Sequence, residues 1–150
     1  MPRPVRGIFT FDERGLYMLP DNPTIDQIEA VFAKDRFATE AAGCRVVSGK
    51  RGHAVAEMEL SDIHRNALGS VMGGAIFTLA DFALAICCNI DEEPTVGLDS
   101  TISFLRSTKG TKLTATATCD KPGRHVSFYT ILVEDDLGKP IAKVNATCYR

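Results

Sequence analysis

An α+β domain, in which a strongly curved antiparallel sheet wraps around one long helix, is the fold class this sequence predicts. Three observations carry the prediction. The segment Gly73–Asn89 is apolar on every side of a helical projection, from Ala75, Ile76 and Phe77 through Leu84, Ala85 and Ile86, and a helix without a polar side needs cover over most of its surface. Six shorter segments read as strands, separated by clusters of Gly, Pro, Asp and Ser that suit turns. The 150 residues are 45% hydrophobic, enough for one core and too few for two.

Taken in order, residues 1–23 form an amino-terminal arm that holds four of the seven prolines, with an extended piece at 7–11. The domain proper is expected over 24–150. Thr24-Ile25-Asp26-Gln27 reads as a capping box, in which the Thr24 hydroxyl accepts from a free amide and Gln27 reaches back. Ile25, Ile28, Val31 and Phe32 then share one stripe, so a short amphipathic helix ending near Arg36 is expected. Partial alternation over 42–47 and 53–60, around the glycine-bearing turn 48–52, predicts the first strand pair. A polar loop at 61–66 leads to the long helix, and four more strands follow over 96–106, 112–119, 124–134 and 141–149. In the second of these four, Leu113, Ala115, Ala117 and Cys119 point one way and Thr114, Thr116 and Thr118 the other, so one face is packed and one is half wet.

Charge and cysteine content narrow the function classes. Seventeen Lys+Arg against 19 Asp+Glu give a net charge of −2, which is no footprint for a general nucleic-acid or anionic-membrane binder. Asp81, near the middle of the apolar run 71–90, argues against a membrane span. Prolines and charges break any secretory pattern in 1–14. The five cysteines, at 44, 87, 88, 119 and 148, include no CxxC and read as reduced, buried side chains, so a cytoplasmic location is expected. His53, His64 and His125 lack metal-ligand spacing, and no metal is expected. His64, close to Asn66, reads either as a pocket residue or as an exposed turn residue.

Asp81 is the sharpest anomaly, the one formally charged residue between Asn66 and Ile90. A carboxylate held among apolar neighbours has a raised pKa and suits a general base or nucleophile; the structural alternative is a loop cap or a partner for a distant Arg. Asn66, Gly69, Gly73 and Gly74 surround the start of the same helix, where free amides can receive an oxygen that carries developing charge; taken by themselves, the glycines read first as tight packing. Gly73 and Asp81 are eight residues apart, about 12 Å along one helix, so they do not reach one carbonyl together. Two antiparallel copies of the helix across a two-fold axis would bring the amide end of one to the carboxylate of the other, which predicts a homodimer with shared sites. Residues 101–125 carry Arg106, Lys109, Lys112, Lys121 and Arg124 against Asp120 alone, a surplus that suits phosphates, with Arg106 and Arg124 as the leading candidates, or a solvated strand edge that discourages aggregation.

The stretch Asn66-Ala67-Leu68-Gly69-Ser70-Val71-Met72-Gly73-Gly74-Ala75-Ile76-Phe77-Thr78-Leu79-Ala80-Asp81, followed by Asn89, resembles the hotdog-fold thioesterases, specifically the phenylacetic-acid-degradation branch that hydrolyses acyl-coenzyme A. The resemblance extends through Val96-Gly97-Leu98-Asp99, Ile102-Ser103-Phe104-Leu105-Arg106, Gly110, Gly123-Arg124 and Asp136-Leu137-Gly138-Lys139, and covers roughly 41–150. It implies a homodimer, often paired as a dimer of dimers, that needs no cofactor because coenzyme A is part of the substrate. By the same likeness, Asp81 is the general base or nucleophile, the Gly73 amide the oxyanion donor, and Asn66 the residue that orients water or thioester. Met72, Gly74, Gly97 and Phe77 are the expected pocket residues. Met72 stands where the family usually has His, and Gly97 where it often has Ser or Thr. Those departures keep open a noncatalytic acyl-CoA binding or regulatory module as the alternative, with an acyl-thioester hydratase or dehydratase behind it, since that chemistry wants an acid–base pair.

Overall fold

The computed structural model describes residues 10–11 and 17–150; residues 1–9 and 12–16, including most of the extended piece expected at 7–11, lie outside the described residues. Two short strands, β1 (Thr10–Phe11) and β2 (Tyr17–Met18), pair with each other. Leu19 then packs into the core beside Ile90, so the end of the arm shares the domain's core.

Helix α1 (Ile25–Phe32) opens on the expected capping box: the Gln27 amide donates to Thr24 Oγ1 at 3.2 Å, and the Thr24 amide to Gln27 Oε1 at 2.8 Å. It stops at Phe32, earlier than expected, because Lys34-Asp35-Arg36 offers nothing to bury. A wide π-helical turn, Phe37–Ala41, follows instead, and Arg36 grips Glu40 across it. Strands β3 (Cys44–Lys50) and β4 (His53–Glu59) form the first hairpin. Its turn is only Arg51 and Gly52, so Gly49, expected in the turn, belongs to the strand. A Cβ at Gly49 would stand 2.8 Å from Ile90 Cδ1 and 2.9 Å from Ile28 Cδ1, so the residue is there for close approach of the helices.

Long helix α2 spans Gly73–Asn89, the bounds its apolar run predicts. Asn89 closes it: Nδ2 donates to the Ala85 and Thr95 carbonyls at 2.9 and 3.1 Å, while Oδ1 accepts from the Thr95 amide at 2.8 Å. Four strands follow: β5 (Val96–Phe104), β6 (Lys112–Lys121), β7 (Val126–Asp135) and β8 (Pro140–Tyr149). The six-stranded antiparallel sheet has the order β3-β4-β6-β7-β8-β5 and curls around α2 as the hotdog fold requires. The concave face carries the core, with Met58, Leu113, Ile131 and Val144 against Leu79 and Ile86, all essentially inaccessible. Cys44, Cys87, Cys88 and Cys148 are buried there too; burial pushes the Cys44 and Cys87 thiols up to about 12, which leaves them protonated and unreactive.

Two surfaces stay open. Strand β5 is an edge strand whose Val96, Leu98 and Phe104 are 65%, 64% and 54% exposed. On α2, the sheet leaves a stripe through Gly74, Phe77, Thr78, Asp81 and Ala85 exposed or half-buried. Asp81, which stands among apolar neighbours in the sequence, is exposed: the sheet covers most of the helix, and Asp81 lies on the part it misses. Among the described residues no helix is long and apolar enough to cross a membrane.

Candidate active site

The turn that leads into α2 is built by Asn66. Its Oδ1 accepts from the Leu68 and Ser70 amides at 3.0 and 3.1 Å, and its own amide donates to the Ser70 carbonyl at 2.8 Å. With Oδ1 committed, Nδ2 is the group Asn66 has left to offer. Beneath the turn sits His64, 7% exposed, so it is not the exposed turn residue that one reading expected. The Ser61 amide donates to its Nδ1 at 3.0 Å, which makes Nε2 the donor to the Ala42 carbonyl at 2.7 Å. The His64 carbonyl accepts from the Met72 amide at 2.8 Å, so this clamp fixes the first turn of α2.

Met72 is the N-cap of that helix, and its side chain caps nothing. The Ala75 and Ile76 amides both turn to the Met72 carbonyl, at 3.0 and 3.2 Å, which leaves the Gly73 and Gly74 amides with no hydrogen-bond partner among the described residues. Gly73 lies under the ring of Phe104 from β5. A Cβ there would come 2.9 Å from Phe104 Cζ, so only glycine fits this packing without displacing the ring. Met72 is 55% exposed and its methyl end lies beside Gly74. Two adjacent free amides at a helix start form a place for an oxygen with negative charge.

Asp81 and Phe77 open instead on a cavity of about 360 Å³. Its other wall is Asp35, Arg36, Phe37 and Ala38, from the segment after α1, with Phe82 and Ala85 of α2 behind. Sequence reasoning missed that wall; Phe37, an aromatic residue outside any helical stripe, was the signal present. Partial burial raises the Asp81 pKa above the ordinary carboxylate range, and the nearby Asp35 charge raises it further. Burial also raises Asp35. The Arg36 guanidinium is occupied by Glu40 through bonds of 2.7 and 2.8 Å, so neither acid of the cavity has a committed cation among the described residues.

The other candidates lie apart. Gly97 is on exposed β5, opposite Cys148, with nothing within 4 Å of where a Cβ would stand. Arg106 is two residues past Phe104 and so near the amide end of α2. Arg124 precedes β7, at the end of the sheet where Val126 meets Tyr149. Phe104 pairs with Ala142, seven residues along β8 from Tyr149, so roughly 23 Å separates the two ends within one chain. Both arginines are exposed and form no ion pair among the described residues, whereas Lys112 of the same basic stretch is paired with Glu57 at 3.3 Å.

Comparison with known proteins accords with this geometry. Residues 68–142 match the model of the thioesterase superfamily. The chain is 33% identical over 122 residues to the acyl-coenzyme A thioesterase PaaI of Escherichia coli, covering 81% of this chain and 86% of that protein. The solved structure of E. coli PaaI superposes with a TM-score of 0.74 at 28% identity, over 85% of this chain and 96% of that one. A Streptococcus mutans protein, solved bound to acetyl CoA, superposes at 0.66 with 30% identity, over 69% and 85%. On the sequence match and the shared architecture together, the chain belongs to the thioesterase superfamily.

Proposed function

We propose that this protein hydrolyses acyl-coenzyme A thioesters at a site completed by a second copy of itself. One observation carries the reading: two amides and a carboxylate, all without a partner among the described residues, lie on the same helix, about 12 Å apart, too far to meet at one carbonyl. Residue 77 is midway between 73 and 81. A two-fold axis through the open stripe near Phe77 therefore sets Gly73 of one helix beside Asp81 of its antiparallel mate. The small side chains of Gly74 and Thr78 permit close helix approach, and the exposed apolar edge β5 supplies further surface to cover. A homodimer, or a dimer of dimers, follows from this reading.

In the reaction, a thioester carbonyl points its oxygen at the Gly73 amide. Asp81 takes a proton from a water whose oxygen bonds to the carbonyl carbon, or attacks that carbon itself to give an anhydride that water then opens. The carbon–sulfur bond breaks, and CoA leaves as thiolate beside the carboxylic acid. The amides gain most where the oxyanion forms, which lowers the barrier more than it tightens binding. A raised pKa makes Asp81 a better proton acceptor than a solvated carboxylate. Asn66 Nδ2 serves to orient water or thioester. Met72 has no donor, so polarisation of the carbonyl rests on the backbone. Arg106 and Arg124 are the phosphate candidates, and because they sit at opposite ends of one chain, a single CoA meets at most one from each copy.

Thiol release over aromatic, short-chain and medium-chain CoA esters tests the proposal, with Asp81→Asn as the matched variant. The expected result is a loss of roughly 10²–10⁴ in kcat with little change in KM. Near-parental turnover by the assembled variant would refute the role of Asp81. The donor-free Met72 and the bare Gly97 favour, as a second reading, a module that binds acyl-CoA without cleaving it; tight binding with no thiol release would select that one.

A further inference from the structure

The wall contributed by Asp35 has no part in the hydrolytic scheme, yet it faces the same cavity as Asp81. We propose that Asp35 sets acyl selectivity there, admitting uncharged acyl groups and rejecting those that end in a carboxylate. This rests on the thioester-hydrolase reading above. At about 360 Å³ the cavity is of small-molecule size. Phe37, Ala38, Phe77, Phe82 and Ala85 give it an apolar lining suited to a ring or a hydrocarbon chain.

Its charge decides which end of an acyl-CoA enters. Two carboxylates face the space, one on α2 and one on the turn after α1. Among the described residues the one cation in the wall, Arg36, is held by both oxygens of Glu40. The Thr78 hydroxyl donates to the Gly74 carbonyl at 2.8 Å and is not free for a ligand anion. The diphosphate end of CoA is repelled from such a space, so the acyl end occupies it. An acyl group with its own terminal carboxylate would bring a third negative charge into a partly desolvated cavity where the described residues offer no free cation. The two acids already sense each other, since the Asp35 charge adds to the rise of the Asp81 pKa. Asp35 is exposed and its side chain holds no hydrogen bond among the described residues, so its replacement breaks none there.

The test uses hexanoyl-CoA and adipoyl-CoA, equal in carbon count and different in terminal charge. Thiol release gives kcat/KM for each with the parent, Asp35→Asn and Asp35→Lys, and the ratio between esters is the readout. The parent is expected to prefer hexanoyl-CoA. Asp35→Asn should narrow the preference by about tenfold, and Asp35→Lys should narrow it further. A ratio unchanged in both variants overturns the proposal. If the parent releases thiol from neither ester, the hydrolytic reading fails on its own. Selectivity is then read from the two dissociation constants, where the same narrowing supports Asp35 and its absence overturns it; affinities also replace rates for any variant that loses turnover.

Discussion

Gly73→Pro, compared with Gly73→Ala, isolates a single N–H. Both replacements place a Cβ 2.9 Å from Phe104 Cζ and 3.3 Å from its Cε1, about half an ångström inside ordinary contact. Phe104 is 54% exposed on an edge strand and can yield, so the contact costs about 1 kcal/mol, the low end for overpacking. Proline adds little to that. Position 73 is the first residue of α2, where proline is tolerated, and Met72 at ψ 134° already holds the extended conformation a following proline requires. The missing N–H has no partner to lose among the described residues. The two variants should therefore melt within about 2–4 °C of each other, the shift that 1 kcal/mol gives a chain of this size. Their turnover should differ sharply: loss of an oxyanion donor lowers kcat roughly 10²–10³-fold, so Gly73→Pro should fall that far below Gly73→Ala. Thermal melting and thiol release on the same preparations supply both numbers. Equal kcat in the two variants would refute the amide's role and leave Gly73 as a packing residue only.

Mixed dimers of an Asp81→Ala chain with a Gly73→Pro chain should regain about one working site in two, because one of the two interfaces keeps both groups; coexpression with distinct tags and a thiol assay measures this, and no recovery would place the site within one chain. The acid limb of kcat/KM should lie above the ordinary carboxylate range, since desolvation and Asp35 raise the Asp81 pKa and the base is lost as pH falls through it. Asp35→Asn should move that limb to lower pH in a pH–rate profile. Gly49→Ala should destabilise the fold by about 1–3 kcal/mol, seen in a denaturant melt, because Ile90, Ile28 and Ile86 all stand within 3.2 Å of the added carbon.

What was legible in the sequence was what local chemistry decides. The Thr24–Gln27 cap, the bounds of α2 and the alternation of Leu113, Ala115 and Ala117 follow from spacing alone, and each stands where expected. Contacts distant in sequence were not legible. Gly49 looked like a turn residue because Ile28, Ile86 and Ile90 come to it only in the fold. The segment 35–41 carries no periodicity, and its place across the α2 stripe comes from tertiary packing. Arg106 and Arg124 share one basic stretch in the sequence, but strand pairing puts them at opposite ends of β8. Asp81 was visible as an anomaly, and the apolar run around it gave no sign of which side of the helix the sheet would leave bare.

Methionine at the start of α2 carries a wider consequence. A serine or aspartate in that place would bind the next amides and strengthen the helix by about 0.5–2 kcal/mol. On the proposed reading it would also occupy the amides that the thioester oxygen needs. The chain thus forgoes a locally tighter helix and keeps its donors unspent, and any search for heat-resistant variants that improves this helix end will tend to select proteins closed to their own ligand.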